Sequence, residues 1–513
     1  MQKAIYKLVS FLLLTIPQFS EGQKSTTQDK IESAANLIGN IGGLLKKKKN
    51  KETQDAPIGS VTTRMAGAIH PNAKYIDCDL LYPFSGGAAI IKKGLQFALI
   101  DSSGNFIVPY GQYMGISILN NYLGSGFFKA INKSPNGAEL EYIINASGKV
   151  VVNPQNYPVG KFTKSISADG KHVIITEFAM YTRGLSSDVD IIDQAGNVKK
   201  ILLPKNARYN LDESVSDSMF VFWQEIDKRN ICNLVNLTSL SVNKTEGFYN
   251  MDPFTNGRAV FSKVDPYNNT RYGVIDKQGK IIIEPTLQFK PKPFKYGYTI
   301  IANTDTWSEW EEPAGGTFDW SVGEDKFINA IIDSAGQILY KGNNKVTPFI
   351  GPWSVNKRKR STKRINGVDY TVDNSFLLNT SLQTISFTDF FKSIGINPIK
   401  LGNYERVELG HEDFGDQQLR IFLSFSKSGY PDLDGVYDYV EKKAFIGDFN
   451  YSSRSFQDIE KQVQALYKDP IAKLIYAVMN VSDNQGKKIF REGYMNSDGY
   501  FVLLKKESAF SGL

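Results

Sequence analysis

The stretch Gly273-Val274-Ile275-Asp276-Lys277-Gln278-Gly279-Lys280-Ile281-Ile282-Ile283-Glu284-Pro285 decides the fold. Val274 and Ile275 form an apolar lead into Asp276. An Asp at the first turn position bonds its side chain to backbone N–H groups further on. Gly279, at the fourth position, takes the left-handed conformation of a three-residue hairpin loop with a bulge. Ile281, Ile282 and Ile283 are β-branched and suit a buried strand. Pro285 has no N–H to offer a neighbouring strand, so the strand is expected to end there. Each position of this β-hairpin therefore has a physical reason.

Copies of the pattern run along the chain. Leu99-Ile100-Asp101-Ser102-Ser103-Gly104 is followed by Asn105-Phe106-Ile107-Val108-Pro109. Ile143-Ile144-Asn145-Ala146-Ser147-Gly148 leads into Lys149 and three valines. Ile191-Ile192-Asp193-Gln194-Ala195-Gly196 and Ile331-Ile332-Asp333-Ser334-Ala335-Gly336 repeat it. Leu234-Val235-Asn236-Leu237-Thr238 is a copy without the Gly, and weaker copies lie at Asn379, Asp438 and Asn496 to Gly499. The turn residues 101, 145, 193, 236, 276 and 333 are 44, 48, 43, 40 and 57 apart. That period leaves room for three or four short strands per unit. Pro83 to Ile91 and Pro253 to Phe261 each supply one strand upstream of a hairpin.

These residues resemble the WG-repeat family. Its pattern is roughly Phe-x-x-Gly-x-Ala-x-Val, then Trp-Gly-x-Ile-Asp-x-x-Gly-x-x-x-Ile-x-Pro. Phe254, Gly257, Ala259 and Val260 match the first half; Gly273, Ile275, Asp276, Gly279, Ile283 and Pro285 match the second. The name-giving Trp is Tyr272 here and Phe97 in the first unit, where Ala98 also replaces the Gly. The match is strong over 75–110 and 250–285, moderate to 205 and 340, and poor beyond. The resemblance implies an exported bacterial β-repeat scaffold and no particular activity. The fold expected is all-β: antiparallel hairpin units stacked as a β-propeller, with a β-solenoid or two repeat modules as the alternatives. Nine candidate units exceed the usual four to eight blades, which leaves room for partial units late in the chain.

The chain has 513 residues, 41% hydrophobic and 22% charged, with a net charge of +7. Residues 1–22 read as a secretory signal peptide: Lys3 and Lys7, then the apolar run Leu8 to Phe19, then small residues before a cut at Gln23. Localisation in the periplasm, on the cell surface or outside the cell is the resulting expectation. Residues 23–60 are polar, with Ile31, Ala34, Leu37, Ile38, Ile41, Leu44 and Leu45 at helical spacing before Lys46 to Lys49. This segment reads as a flexible linker, or as an amphipathic helix making peripheral membrane contact through residues 28–49. WG-like repeats then span 61–345, and degenerate repeats complete the architecture over 346–513. Phe501 to Leu504 is a last strand able to close a ring against a strand near 75–91. Ser455 to Tyr467 has helical spacing. Cys78 and Cys232, the two cysteines, either pair after export or stay as buried free thiols.

Chemistry is sparse. His70, His172 and His411 have no ligand-spaced partner, and no nucleophile elbow or phosphate loop is present. No catalytic residue, metal site or cofactor is assigned. Pro431 to Asp438 clusters three carboxylates around a Gly but lacks the downstream Glu of a calcium loop. The most suggestive segment is 304–326, which stretches one repeat spacing. It holds Trp307, Trp310 and Trp320 among Glu309, Glu311, Glu312 and further acids. Trp faces stack on sugars, peptides or cations, so Trp307, Trp310, Trp320 and Glu311 are the candidate ligand-binding residues. Lys357 to Arg360 with Lys363 and Arg364 form a basic run, read as a solvated loop or as a partner of the acidic segment. Nucleic acid is not expected as a partner. The expected function is an exported scaffold that binds a protein, peptide or glycan. The alternatives are a polymer-acting hydrolase using carboxylates on the repeat face, and a structural envelope protein.

Overall fold

A computed structural model describes residues 65–177, 188–204, 206–287, 289–302 and 329–342, and, with gaps, 345–393, 406–449 and 467–506. The expected signal peptide 1–22, the segment 28–49, His411, the helical spacing of 455–466 and the Trp-rich segment lie outside the described residues.

Ten sheets are present among the described residues, and one of them is an isolated two-stranded hairpin. The other nine follow one another along the chain: 80–108, 115–152, 162–202, 207–246, 250–287, 298–342, 345–386, 406–447, and 475–505 joined by Ile69–Ile76. We number them blades one to nine and call their strands a to d in chain order. Most are four-stranded antiparallel meanders; blade six has three strands, and blade four has its first strand split in two.

The strand sequences explain the stacking. Ala88, Ala89, Ile90 and Ile91 are consecutive and all buried. Successive side chains of a strand point to opposite faces, so four buried neighbours require a sheet covered on both sides. Ala88 and Ile90 pack with Phe128 and Ile144 of blade two. Ala89 and Ile91 pack instead with Tyr476, Tyr494 and Leu503 of blade nine. The pair before each turn works the same way: Ile144 joins the core shared by blades one and two, and Ile143 the core shared by blades two and three. Further shared cores join blades three to four, four to five, six to seven and eight to nine. Contact of blade nine with blade one closes a β-propeller ring. Tyr494, fully buried there, donates its hydroxyl hydrogen bond to the Tyr82 carbonyl at 2.6 Å.

Closure departs from the expected strand. Phe501–Lys505 pairs with Ile69–Ile76, of which only Tyr75 and Ile76 fall in the range expected, and the pairing is parallel. Blade nine already has its own final strand, so the strand from the N-terminal side lies outside it as an addition. A register break between Ile69 and Lys74 surrounds Pro71, which cannot donate to the ladder.

The turns are as read from the sequence. Asp276 Oδ1 accepts the Gln278 and Lys280 amides at 3.0 and 2.9 Å. Gly279 N–H returns to the Asp276 carbonyl at 3.0 Å. Asp101, Gly104, Asn145, Gly148, Asp193, Gly196, Asp333 and Gly336 repeat this arrangement. So do Asn379 and Asn496. In blades one, two, five, six and nine the ladder across the turn breaks register beside it, as a bulge requires, for example between Val274 and Ile275. All nine candidate turns, including the weak ones, sit between the last two of a blade's own strands, so the late units are whole repeats in this respect. In the copy without Gly, the loop is one residue longer and Leu240 takes the left-handed conformation at φ 57°. That conformation costs an L-residue about 1–2 kcal/mol.

The turn glycine also spaces the blades. Gly336 has φ +87°, and a Cβ there would lie 3.1 Å from the Ile282 carbonyl of blade five. Gly148 faces Ile107 of blade one in the same way, at 3.0 Å. Across the closure, Gly104 of blade one lies against Leu503 of blade nine.

Cys78 belongs to the core between blades nine and one, and Cys232 to that between blades four and five. Both are buried free thiols, and the disulfide alternative is excluded by their separation into different cores. No helix among the described residues is long and apolar enough to cross a membrane.

Candidate functional site

The connection inside blade two, Leu119–Asn121, is a single 3₁₀ turn, and Asn120 and Asn121 both take left-handed conformations at φ 48° and 56°. Asn tolerates that region better than other residues with a side chain. In blade four, the first strand is interrupted between Ala207–Arg208 and Val215–Ser216. Asn210 folds the interruption back on itself: its N–H donates to Ser214 Oγ at 2.9 Å, and its carbonyl accepts the Ser214 amide at 2.8 Å. Between these two irregularities runs the first strand of blade three, Phe162–Ile166. The three elements bound a cleft of about 510 Å³ lined by Asn120, Thr163, Lys164, Ser165, Tyr209, Asn210, Leu211 and Asp212.

Its polar groups are organised. The Ser165 hydroxyl donates to Asp212 Oδ1 and accepts from Asn120 Nδ2 at 3.2 Å. Lys164 has a side chain only 4% exposed, and its ammonium meets Glu141 of blade two at 3.0 Å. Lys129 approaches the same carboxylate at 4.0 Å. Tyr209 shares a hydrogen bond with Thr176 at 3.0 Å. Burial pushes the Tyr209 phenol above its ordinary range against the pull of that bond. With Lys164 balanced by Glu141, the cleft presents amides, hydroxyls and the Asp212 carboxylate. Such a surface suits an uncharged polar or weakly cationic chain and repels a polyanion.

The two described histidines, His70 and His172, do not line the cleft. His172 lies on strand His172–Glu177 of blade three, where burial lowers its ring below the ordinary value while Asp169 and Asp193 pull upward. His70 packs edge-on against Tyr500 on the closing strand. Asp434 and Asp438 lie within strand Asp434–Asp438 of blade eight rather than in a loop. Among the described residues, no three His, Cys, Asp or Glu side chains gather as a metal site would need.

The expected ligand residues Trp307, Trp310, Trp320 and Glu311 lie outside the described residues. Their segment leaves blade six after Ala302 and returns at Asn329, and those two residues pair with each other. It therefore falls in the connection between the first and second strands of that blade.

Comparison with known proteins follows from this geometry. A family model described as a WG containing repeat matches residues 272–307, beginning at the Tyr-Gly of blade five. The chain carries a WG repeat. The match starts on the third strand of one blade, so a WG repeat unit is offset from the blade it helps to build. No curated protein matches the chain. Among solved structures, a eukaryotic initiation factor is similar at TM-score 0.39 and 10% identity, covering 74% of this chain and 90% of that one. The propeller domain of the trilobed protease from Pyrococcus furiosus is similar at 0.28 and 9%, covering 66% and 97%. TolB from Acinetobacter baumannii is similar at 0.24 and 13%, covering 59% and 77%. Likenesses this distant say nothing of activity.

The cleft has no signature that sequence reading could find, because its residues come from three blades. Only the doublet Asn120-Asn121, interrupting an apolar pattern, hints at a special backbone.

Proposed function

We propose that this chain is a non-catalytic scaffold working outside the cytoplasm, which holds a peptide or glycan segment in the cleft spanning blades two to four. The observation that carries this reading is the charge-balanced, hydrogen-bonding lining built around Ser165, Asp212 and Asn120. Neutral polar polymers match such a lining through many modest hydrogen bonds, each contributing about 0.5–1.5 kcal/mol. A rigid ring displaying loops is suited to recognition, and the Trp-rich acidic segment of blade six supplies a second contact. The basic amphipathic segment 28–49 holds the scaffold at a membrane surface.

Titration calorimetry of the full chain against neutral oligosaccharides and short unstructured peptides tests the reading. Asp212→Ala is expected to weaken the bound member at least tenfold while the β-type circular dichroism is kept. Joint replacement of Trp307, Trp310 and Trp320 by Ala is expected to weaken it further. Binding unchanged by both sets of substitutions overturns the proposal.

A further inference from the structure

One wall of the cleft is an open strand edge. Strand Phe162–Ile166, the first of blade three, pairs with one strand only, His172–Glu177, so its other edge is open among the described residues. Register decides which groups face that edge. Ser167 N–H donates to the His172 carbonyl at 2.9 Å. Main-chain groups of an antiparallel strand point alternately towards and away from the partner. The ladder runs without a break from Ile166 with Val173 to Phe162 with Glu177. The amides and carbonyls of Phe162, Lys164 and Ile166 are therefore directed away from His172–Glu177, off the open edge.

Two observations place the Lys164 main chain at the cleft. The side chains of Thr163 and Ser165 lie on one face of the strand and that of Lys164 on the other, yet the cleft touches all three residues. A cavity that reaches both faces meets the strand at its edge. Lys164 is half-buried as a residue while its side chain is only 4% exposed, so the exposed part is its main chain. No backbone partner of its amide or carbonyl is present among the described residues. Just beyond the strand the same edge is used: Ala168 N–H donates to the Val215 carbonyl of blade four at 2.9 Å. Between Arg208 and Val215 the first strand of blade four is interrupted, and Tyr209 to Asp212 line the cleft instead of pairing with Lys164.

Resting on the cleft as the binding site proposed above, we infer that it takes an extended peptide as an added strand on the edge of Phe162–Ile166, with the Lys164 amide and carbonyl pairing with the peptide backbone. Strand addition draws affinity from main-chain bonds and specificity from alternate side chains. The peptide residue opposite Ser165 shares a face with it and meets Asp212, whose Oδ1 accepts the Ser165 hydroxyl. A Lys, Arg or Ser side chain there suits the carboxylate. A glycan offers no alternating main-chain N–H and C=O to match an open strand edge, which narrows the polymer to a peptide.

Retention of the full chain on an array of capped peptides of about seven residues, a usual strand length, tests it, each peptide carrying Lys at its centre and Ser, Thr or Val elsewhere. The tightest binders are then remade with N-methyl groups at alternate residues. N-methylation removes a main-chain donor and blocks pairing on that edge. One alternate set is expected to lose affinity about tenfold or more, and the other set to bind as before. Lys164→Pro removes the open-edge N–H, which an edge position can lose without breaking a ladder bond. Lys164→Ala keeps that N–H and loses the same ion pair to Glu141. The Pro variant is expected to bind about tenfold more weakly than the Ala variant, with circular dichroism reporting that both fold. The methylated peptides decide the matter by themselves where Lys164→Pro does not fold. Equal effects of the two methylated sets, or equal binding by folded Pro and Ala variants, overturns the inference. Capture of neutral oligosaccharides but of no peptide overturns it too and leaves the cleft as a binding site; capture of neither polymer overturns both.

Discussion

Asp276→Ala removes one acceptor oxygen that serves two backbone amides, those of Gln278 and Lys280. Asp276 is only 9% exposed, so water replaces it poorly. Hydrogen bonds to charged groups contribute about 1.5–3 kcal/mol each, and the exposed end of this turn lowers that towards 1–1.5. The expected loss is about 2–3 kcal/mol of local stability, or roughly a 30- to 150-fold rise in turn opening. Asp276→Asn keeps one carbonyl oxygen in place, the arrangement that Asn145 already makes with amides at 3.0 and 3.0 Å. Its expected effect is below about tenfold, which corresponds to about 1.4 kcal/mol. Hydrogen exchange of peptides covering 272–285, read by mass spectrometry in the intact protein, measures both. Equal acceleration by the two substitutions, or none by Asp276→Ala, would refute the reasoning that the side-chain oxygen fixes the turn.

Other expectations follow from the same geometry. Gly336→Ala combines a left-handed backbone with a close carbonyl, whereas Gly137→Ala meets open space at a similar φ of +84°. The first is expected to lower stability by about 1 kcal/mol more than the second, read as a difference in denaturation midpoints. His172 has its ring held below the ordinary value by burial. The folded state therefore favours the neutral ring, so its stability is complete above the ordinary value and is lost as pH falls below it. The thermal midpoint is expected to drop on the acid side of about pH 6.5, and His172→Gln should flatten that drop. Burial pushes both thiols, Cys78 and Cys232, up to about 12. Iodoacetamide is expected to leave both untouched in the native protein and to label both in denaturant.

The repeat was legible because its signals are local. Asp or Asn, then Gly, between apolar residues that suit strands, specify each turn within a few residues, and such turns form at Asp101, Asn145, Asp193, Asp276, Asp333 and Asn496. The double apolar pair at Ile143 and Ile144 also carried a non-local message, since both members can be buried only between two neighbouring blades. The added strand Ile69–Ile76 was harder to see. Most of its residues are exposed or half-buried, only Ile76 is buried, and Pro71 interrupts its ladder. Nothing in such a stretch distinguishes a parallel partner from an antiparallel one. The cleft was invisible for a different reason: Asn120, Ser165 and Asp212 meet only after three blades have stacked.

Closure of the ring is the central claim, and a disulfide across the closing strands tests it most directly. Tyr75 pairs with Leu504 in parallel register. Adjacent strands lie about 5 Å apart, within the reach of a disulfide, about 4.4–6.8 Å between Cα atoms. With Cys78 and Cys232 replaced by Ser, Tyr75→Cys with Leu504→Cys is expected to form a bridge under mild oxidation, visible as a mobility shift on a non-reducing gel. Tyr75→Cys with Phe501→Cys is the out-of-register control and is expected to stay reduced. No bridge in the first pair, or equal bridging in both, would contradict a closed nine-bladed ring in this register.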